Sequence, residues 1–120
     1  MIKTYKDLEV YKLSYELAME IFFLSKSFPK EEVYSLTSQI IRSSRSISSN
    51  IVEGWSKRNF ENVFKQHLIH SLGSCGETEN WLNFAKDYGY IDETIYSNYF
   101  TKLDSIGKML NKLNQNWKSY

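Results

Sequence analysis

Four polar residues near the middle of the chain are spaced to meet on one side of a helix. Arg42, Ser46, Asn50 and Glu53 follow one another at intervals of four, four and three, and residues three and four apart are neighbours on a helix surface. Glu77 and Glu79 come later, beyond a stretch of small residues. A guanidinium, an amide and several carboxylates in that company can build either a buried polar network or a binding or catalytic site. Networks of this kind commonly fix how helices register against one another. Arg42, Ser46, Asn50, Glu53 and Glu77 are therefore read first as a structural network.

A second constellation is cationic. Arg42, Arg45, Lys57 and Arg58 fall within residues 30–60, which carry five cations against three acids, with Tyr34, Trp55 and Phe60 close by in sequence. Basic residues interleaved with rings can hold phosphates and stack bases, so these four are the candidate nucleic-acid-binding residues. Ordinary solvated charge is the competing reading.

Other chemistry finds little support. His67 and His70 stand three apart, but no Glu-x-x-His pair accompanies them, as a di-iron bundle would require. Surface or interface histidines are the better reading, and no metal or cofactor is expected. Cys75, the one cysteine, sits in an apolar stripe and reads as an inert core thiol. Gly73 and Gly76 lie within a helical pattern and do not follow a strand, so they do not make a nucleotide-binding loop. No Ser/His/Asp set can be assembled. The chain is not expected to be an enzyme.

Small residues are dense in two places: Ser43, Ser44, Ser46, Ser48 and Ser49, then Ser71, Gly73, Ser74, Cys75 and Gly76. Two such zones on consecutive antiparallel helices are expected to face each other. They allow close backbone approach or, alternatively, leave a small ligand groove.

The elements that must carry these residues follow from the breakers and the apolar period. There is one proline, Pro29, and only five glycines in 120 residues, which leaves room for long helices. The first helix is predicted from an Asp7 N-cap to about Ser27, stopped by Pro29. The second starts between Pro29 and Ser35 and ends at Gly54, with Val33, Leu36, Ile40, Ser44, Ile47, Ile51 and Trp55 on one stripe. The third runs from about Asn59 to Tyr88, with Gly89 closing it. Asp92 caps the fourth, which ends near Trp117. Four helices of this length on short loops predict an all-α, antiparallel, up-and-down four-helix bundle as one domain over 1–120.

The first helix is apolar on two arcs. Leu8, Tyr11, Tyr15, Ala18 and Phe22 form one; Val10, Leu13, Leu17, Ile21 and Leu24 form the other. A bundle needs one buried face per helix. The second arc is therefore read as a subunit interface made by Val10, Leu13, Leu17 and Ile21, the alternative being an edge contact with a neighbouring helix. Aromatics at 16% of the chain add more adhesive area than so small a core needs.

Charge and hydropathy narrow the setting. Fifteen Lys and Arg against fourteen Asp and Glu give a formal charge of +1, which removes the usual electrostatic signature of a nucleic-acid binder. The longest apolar run, Ile21–Leu24, is far short of the roughly 20 residues that cross a bilayer. A lone thiol and the lack of a secretory pattern suggest the cytoplasm.

Several segments together resemble a known family. They are Tyr5 to Tyr11, Phe28 to Leu36, Gln39-Ile40-Ile41-Arg42, Ser46-Ile47, Asn50-Ile51-Val52-Glu53-Gly54, Arg58, and Ser71 to Glu79. The chain is similar through them to the 23S rRNA intervening-sequence proteins, also labelled S23 ribosomal proteins. The resemblance implies a four-helix bundle, often a homopentamer, encoded within insertions in bacterial 23S rRNA genes or elsewhere in the genome. That family is also similar to the accessory protein of diversity-generating retroelements, a basic pentamer that binds nucleic acid and a reverse transcriptase. This chain departs from the relative in being nearly neutral. It also has Ile41 and Ser43-Ser44 where many members carry a basic residue and alanines.

The combined expectation is a homo-oligomeric, non-catalytic scaffold or adaptor, a pentamer by resemblance. A ring that binds structured RNA is the alternative, and a small-molecule binder using the Gly73 and Gly76 zone is a third.

Overall fold

Helix signals written into the sequence account for the architecture. A computed structural model, describing residues 1–119, contains α1 (Glu9–Ser25), α2 (Leu36–Ser56), α3 (Glu61–Asp87) and α4 (Glu93–Asn116), with 3-10 turns at Tyr5–Asp7 and Lys30–Glu32 and no strand among the described residues. The helices form an antiparallel four-helix bundle about 49 × 25 × 20 Å. Each helix packs against its sequence neighbour, and α4 returns to α1.

The ends show why the chain stops where it does. The Asp92 carboxylate accepts from the Ile95 N–H at 2.8 Å, satisfying one of the N–H groups that a helix start leaves unpaired. Gly89, just past α3, adopts φ +82°, a conformation that a side chain resists. Asp7 does not cap α1 as expected. It closes a capping box one turn earlier, with Thr4 as N-cap and its own carboxylate accepting from the Lys3 and Thr4 N–H groups at 2.8 and 3.0 Å. Those bonds hold the Asp7 carboxyl below its ordinary range. The second helix starts at Leu36 because the segment after Pro29 makes only a single 3-10 turn.

The core is aliphatic and continuous. Ile40, Ile47 and Ile51 of α2, Phe64, Leu68 and Leu82 of α3, and Ile106 and Leu110 of α4 are almost wholly excluded from solvent. Burying each such side chain contributes roughly 1.5–3 kcal/mol. From α1, the inward residues are Val10, Ser14, Leu17, Ile21 and Ser25. This corrects the expected interface. Val10, Leu17 and Ile21 belong to the chain's own core, and Leu13 packs half-buried against it. Of the other arc, Leu8 is buried as well and Tyr11, Ala18 and Phe22 are half-buried; the side that turns out carries Tyr15 with Met19 and Phe23, at 52%, 45% and 59% exposure.

The two long seams of the bundle differ. Between α2 and α3 the backbones come close, whereas α1 and α4 leave cavities of about 200 Å³ beside Leu13 and Ile106 and about 310 Å³ beside Val10 and Met109. Lys102 Nζ reaches across that seam to Glu20 Oε2 at 2.7 Å. At one end of the bundle, Trp117 packs on Phe64 and Trp55, with ring centres 4.7 and 5.8 Å away. Ser119 extends the closure, donating its N–H to Glu61 Oε1 at 3.0 Å and hydrogen-bonding the Arg58 carbonyl through its hydroxyl.

Candidate binding surfaces

The polar residues of α2 find their partners on α3. Asn50 Nδ2 donates to the Ser46 carbonyl at 3.0 Å and to Ser46 Oγ at 3.1 Å. Ser74 Oγ of α3 lies 2.9 Å from the same Ser46 hydroxyl. Asn50 Oδ1 faces His67 Nδ1 at 3.4 Å, and Lys57 Nζ faces His67 Nε2 at 3.4 Å and Glu53 Oε1 at 3.3 Å. An ammonium only donates, so in this arrangement His67 Nε2 accepts and Nδ1 carries the proton toward Asn50.

Only part of the expected network comes together, and it does so at the half-buried to exposed rim of the seam rather than in its core. Ser46, Asn50 and Glu53 belong to it; Lys57, His67 and Ser74 complete it. Arg42 is exposed, with no hydrogen bond or ion pair among the described residues. Glu77 instead accepts from Trp81 Nε1 at 3.4 Å. Residue spacing along α2 could show the shared face, but the α3 partners depend on antiparallel register, which no local spacing reveals.

Deeper in the same seam, Ser71 Oγ donates to the Ile47 carbonyl at 2.7 Å, and Thr78 Oγ1 and Ser43 Oγ are hydrogen-bonded at 2.8 Å. The small residues therefore serve close packing. Gly54 is the tightest point, since a Cβ there would stand 2.8 Å from His67 Cβ and 3.0 Å from Phe64 Cδ1. Gly73 and Gly76 do not lie in this seam, contrary to expectation. A Cβ at either meets nothing within 4 Å. Gly76 instead borders a groove of about 270 Å³ between α3 and α4, alongside Leu72, Cys75, Phe100 and Gly107. Burial pushes the Cys75 thiol up to about 12.

The four candidate cations do not converge. Arg42 and Lys57 are separated along α2 by about 22 Å, at 1.5 Å per residue. Lys57 is engaged by Glu53. Arg58 stacks 4.4 Å from the Trp55 ring centre and donates to the Trp55 carbonyl at 3.1 Å. Arg45 leans on α1, 5.8 Å from the Phe22 ring centre. Arg42, Arg45 and Lys57 are exposed and Arg58 is half-buried, and of the exposed three Lys57 is the one held by a carboxylate.

The outward arc of α1 is the largest feature that the sequence reading misplaced. Tyr15, Met19 and Phe23 recur every four residues, flanked by half-buried Tyr11 and Phe22. The residue that disguises the inward arc is serine. Ser14 and Ser25 return their hydroxyls to the carbonyls of Tyr11 and Phe22 at 3.0 and 2.8 Å, so each packs as a small, satisfied group.

The geometry describes a helical bundle with apolar and cationic surface features, and among the described residues no group of three or more His, Cys, Asp or Glu gathers as for a metal. No described helix is long and apolar enough to cross a membrane. A sequence profile of the 23S rRNA-intervening sequence proteins matches residues 6–112, and the chain belongs to that family. Among solved structures, it is similar to a protein of unknown function from the S23 ribosomal protein family of Bacteroides thetaiotaomicron. The two are 29% identical with a TM-score of 0.81, the match covering 89% of this chain and 96% of the other. Comparison with curated proteins gives no match.

Proposed function

We propose that the protein is a non-catalytic scaffold or adaptor that works as a homo-oligomer, closing through the outward arc of α1. The observation that supports this reading is the Tyr15, Met19 and Phe23 face, an apolar stripe about two turns long with roughly half of each residue exposed to water. Contiguous apolar surface of that kind on a small protein marks an association site. The five-fold state implied by the family resemblance is the stoichiometry we propose for it. Light scattering on the purified chain tests the reading. The expected result is a mass several times that of one chain, falling to a folded monomer in Phe23→Glu, because an interface tolerates a buried charge poorly. A monomeric wild type, or a Phe23→Glu variant of unchanged mass, would overturn it.

A second reading, binding of structured RNA by the assembled ring, is favoured by one observation: Arg42 and Arg45 are both exposed on α2. Repetition around a ring would multiply a modest patch. Absorbance at 260 and 280 nm across the same scattering peak separates the readings. Retained RNA that is lost steeply with added salt, and lost in Arg42→Ala/Arg45→Ala, would put nucleic acid first.

A further inference from the structure

The end of the bundle opposite Trp117 carries a cleft that neither reading uses. It holds about 320 Å³ and is walled by Trp81 and Phe84 of α3 with Tyr88 just past its end, and by Glu32, Tyr34 and Gln39 across from them. The rings continue into one another, Trp81 to Phe84 at 5.8 Å, Phe84 to Tyr88 at 5.8 Å and Tyr88 to Tyr90 at 5.5 Å between centres. Tyr34 is 97% exposed, so it contributes nothing to the core that would explain its presence.

The electrostatics select the guest. Glu32 Oε2 accepts from the Tyr90 hydroxyl at 2.8 Å, and Oε1 accepts from the Leu36 N–H at 3.4 Å. These bonds hold its carboxyl below the ordinary range, so the wall is anionic at neutral pH. The Trp81 indole points its N–H at a second carboxylate, Glu77. Among the described residues, no Lys or Arg lines the cleft. Aromatic faces carry negative π-density, and with a carboxylate beside them they attract cations. The same surroundings repel phosphate, which argues against base stacking by these rings. The chain already uses this chemistry, setting Arg58 over Trp55 at 4.4 Å and Lys86 over Tyr96 at 4.1 Å. Among the described residues, no cation of the chain lies over Trp81, Phe84, Tyr88 or Tyr34.

We propose that this cleft seats a cationic side chain, an arginine guanidinium or a lysine ammonium, presented by a partner polypeptide. A polypeptide is the source because the contact face is wider than a head group. Beyond the exposed walls formed by Tyr34 and Tyr88, Val33 adds further exposed apolar surface next to Tyr34. The site lies apart from the outward arc of α1 and stands or falls independently of it.

The test follows the indole N–H resonance of Trp81 while a short Gly/Ala peptide with one central arginine is added. The control peptide replaces arginine by citrulline, which keeps the shape and removes the charge. The expected result is a saturable shift of Trp81, with Trp55 and Trp117 unmoved and the citrulline peptide about ten-fold weaker. Glu32→Gln and Tyr34→Ala should each weaken the arginine peptide; Tyr34→Ala leaves the fold intact because that side chain is exposed. Equal binding of the two peptides, or no Trp81 shift at millimolar peptide, would overturn the proposal. Choline binding as tightly as the peptide would overturn the polypeptide source. A Trp81 shift on raising protein concentration alone would assign the cleft to a second copy, and overturn the partner.

Discussion

The α2–α3 seam and the α1–α4 seam are built from the same kind of helix and hold together differently. In the first, serine, threonine and glycine bring two backbones close enough for side chains on one helix to bond the other's carbonyls and hydroxyls. In the second, larger side chains stand apart around two cavities, and an ion pair reaches across. Directional bonds at short range fix a register, whereas loosely packed apolar surface permits several arrangements of similar energy. The α2–α3 pair should therefore act as the rigid frame. The α1–α4 edge is where the molecule can adjust, and α1 is the helix that carries the outward apolar arc.

The sharpest way to break the contrast is a single methyl group. Gly54→Ala should destabilise the bundle by about 2 kcal/mol, since overpacking against His67 Cβ outweighs the better helix propensity of alanine; urea denaturation with an unchanged slope would register it. Thr78→Val should cost about 1 kcal/mol, because it removes one interhelical bond while Ser43 keeps the Ile40 carbonyl as a partner. Gly73→Ala should go the other way and raise stability by just under about 1 kcal/mol, since its Cβ enters open space on an exposed helix face. The same substitution thus changes sign between two glycines. If Gly54→Ala and Gly73→Ala shift stability alike, the α2–α3 seam is not tightly packed at Gly54.

The weakest effect should come from the looser seam. Lys102→Met should cost about 0.5 kcal/mol or less, as both partners of the ion pair are substantially exposed. The Glu20 bond raises the Lys102 ammonium above its ordinary 10.5. A raised cation stabilises fully below its unfolded value and loses that contribution as pH climbs through the folded value. The difference between wild type and Lys102→Met should accordingly hold steady at neutral pH and shrink only above about 10.5. Thermal melts at neutral and strongly alkaline pH would show it.

Much of this frame was legible in the residues. The Asp92 cap, the Gly89 stop and the unbroken apolar period of α2 each state a helix in local terms. What was not legible depends on more than one helix. Choosing between the two arcs of α1 required knowing that Ser14 and Ser25 face inward, and a serine bonded to its own helical turn looks polar in sequence and packs as a small residue. Gly54, Gly73 and Gly76 are identical letters in helical sequence, and only the neighbouring helix separates a tight contact from open space. The cleft around Trp81 joins the Glu32–Gln39 segment to α3, so no spacing within either could announce it.

Cys75 gives the α3–α4 side a chemical clock. With its thiol at about 12, only about one molecule in 10⁵ carries the reactive thiolate at neutral pH, against a few per cent for an ordinary cysteine. Alkylation of the native protein should then be far slower than that of an ordinary cysteine, and opening between α3 and α4 that returns the thiol to water should speed it. The protein's sole sulfhydryl thereby becomes a reporter of the α3–α4 packing, gaining reactivity as that side opens.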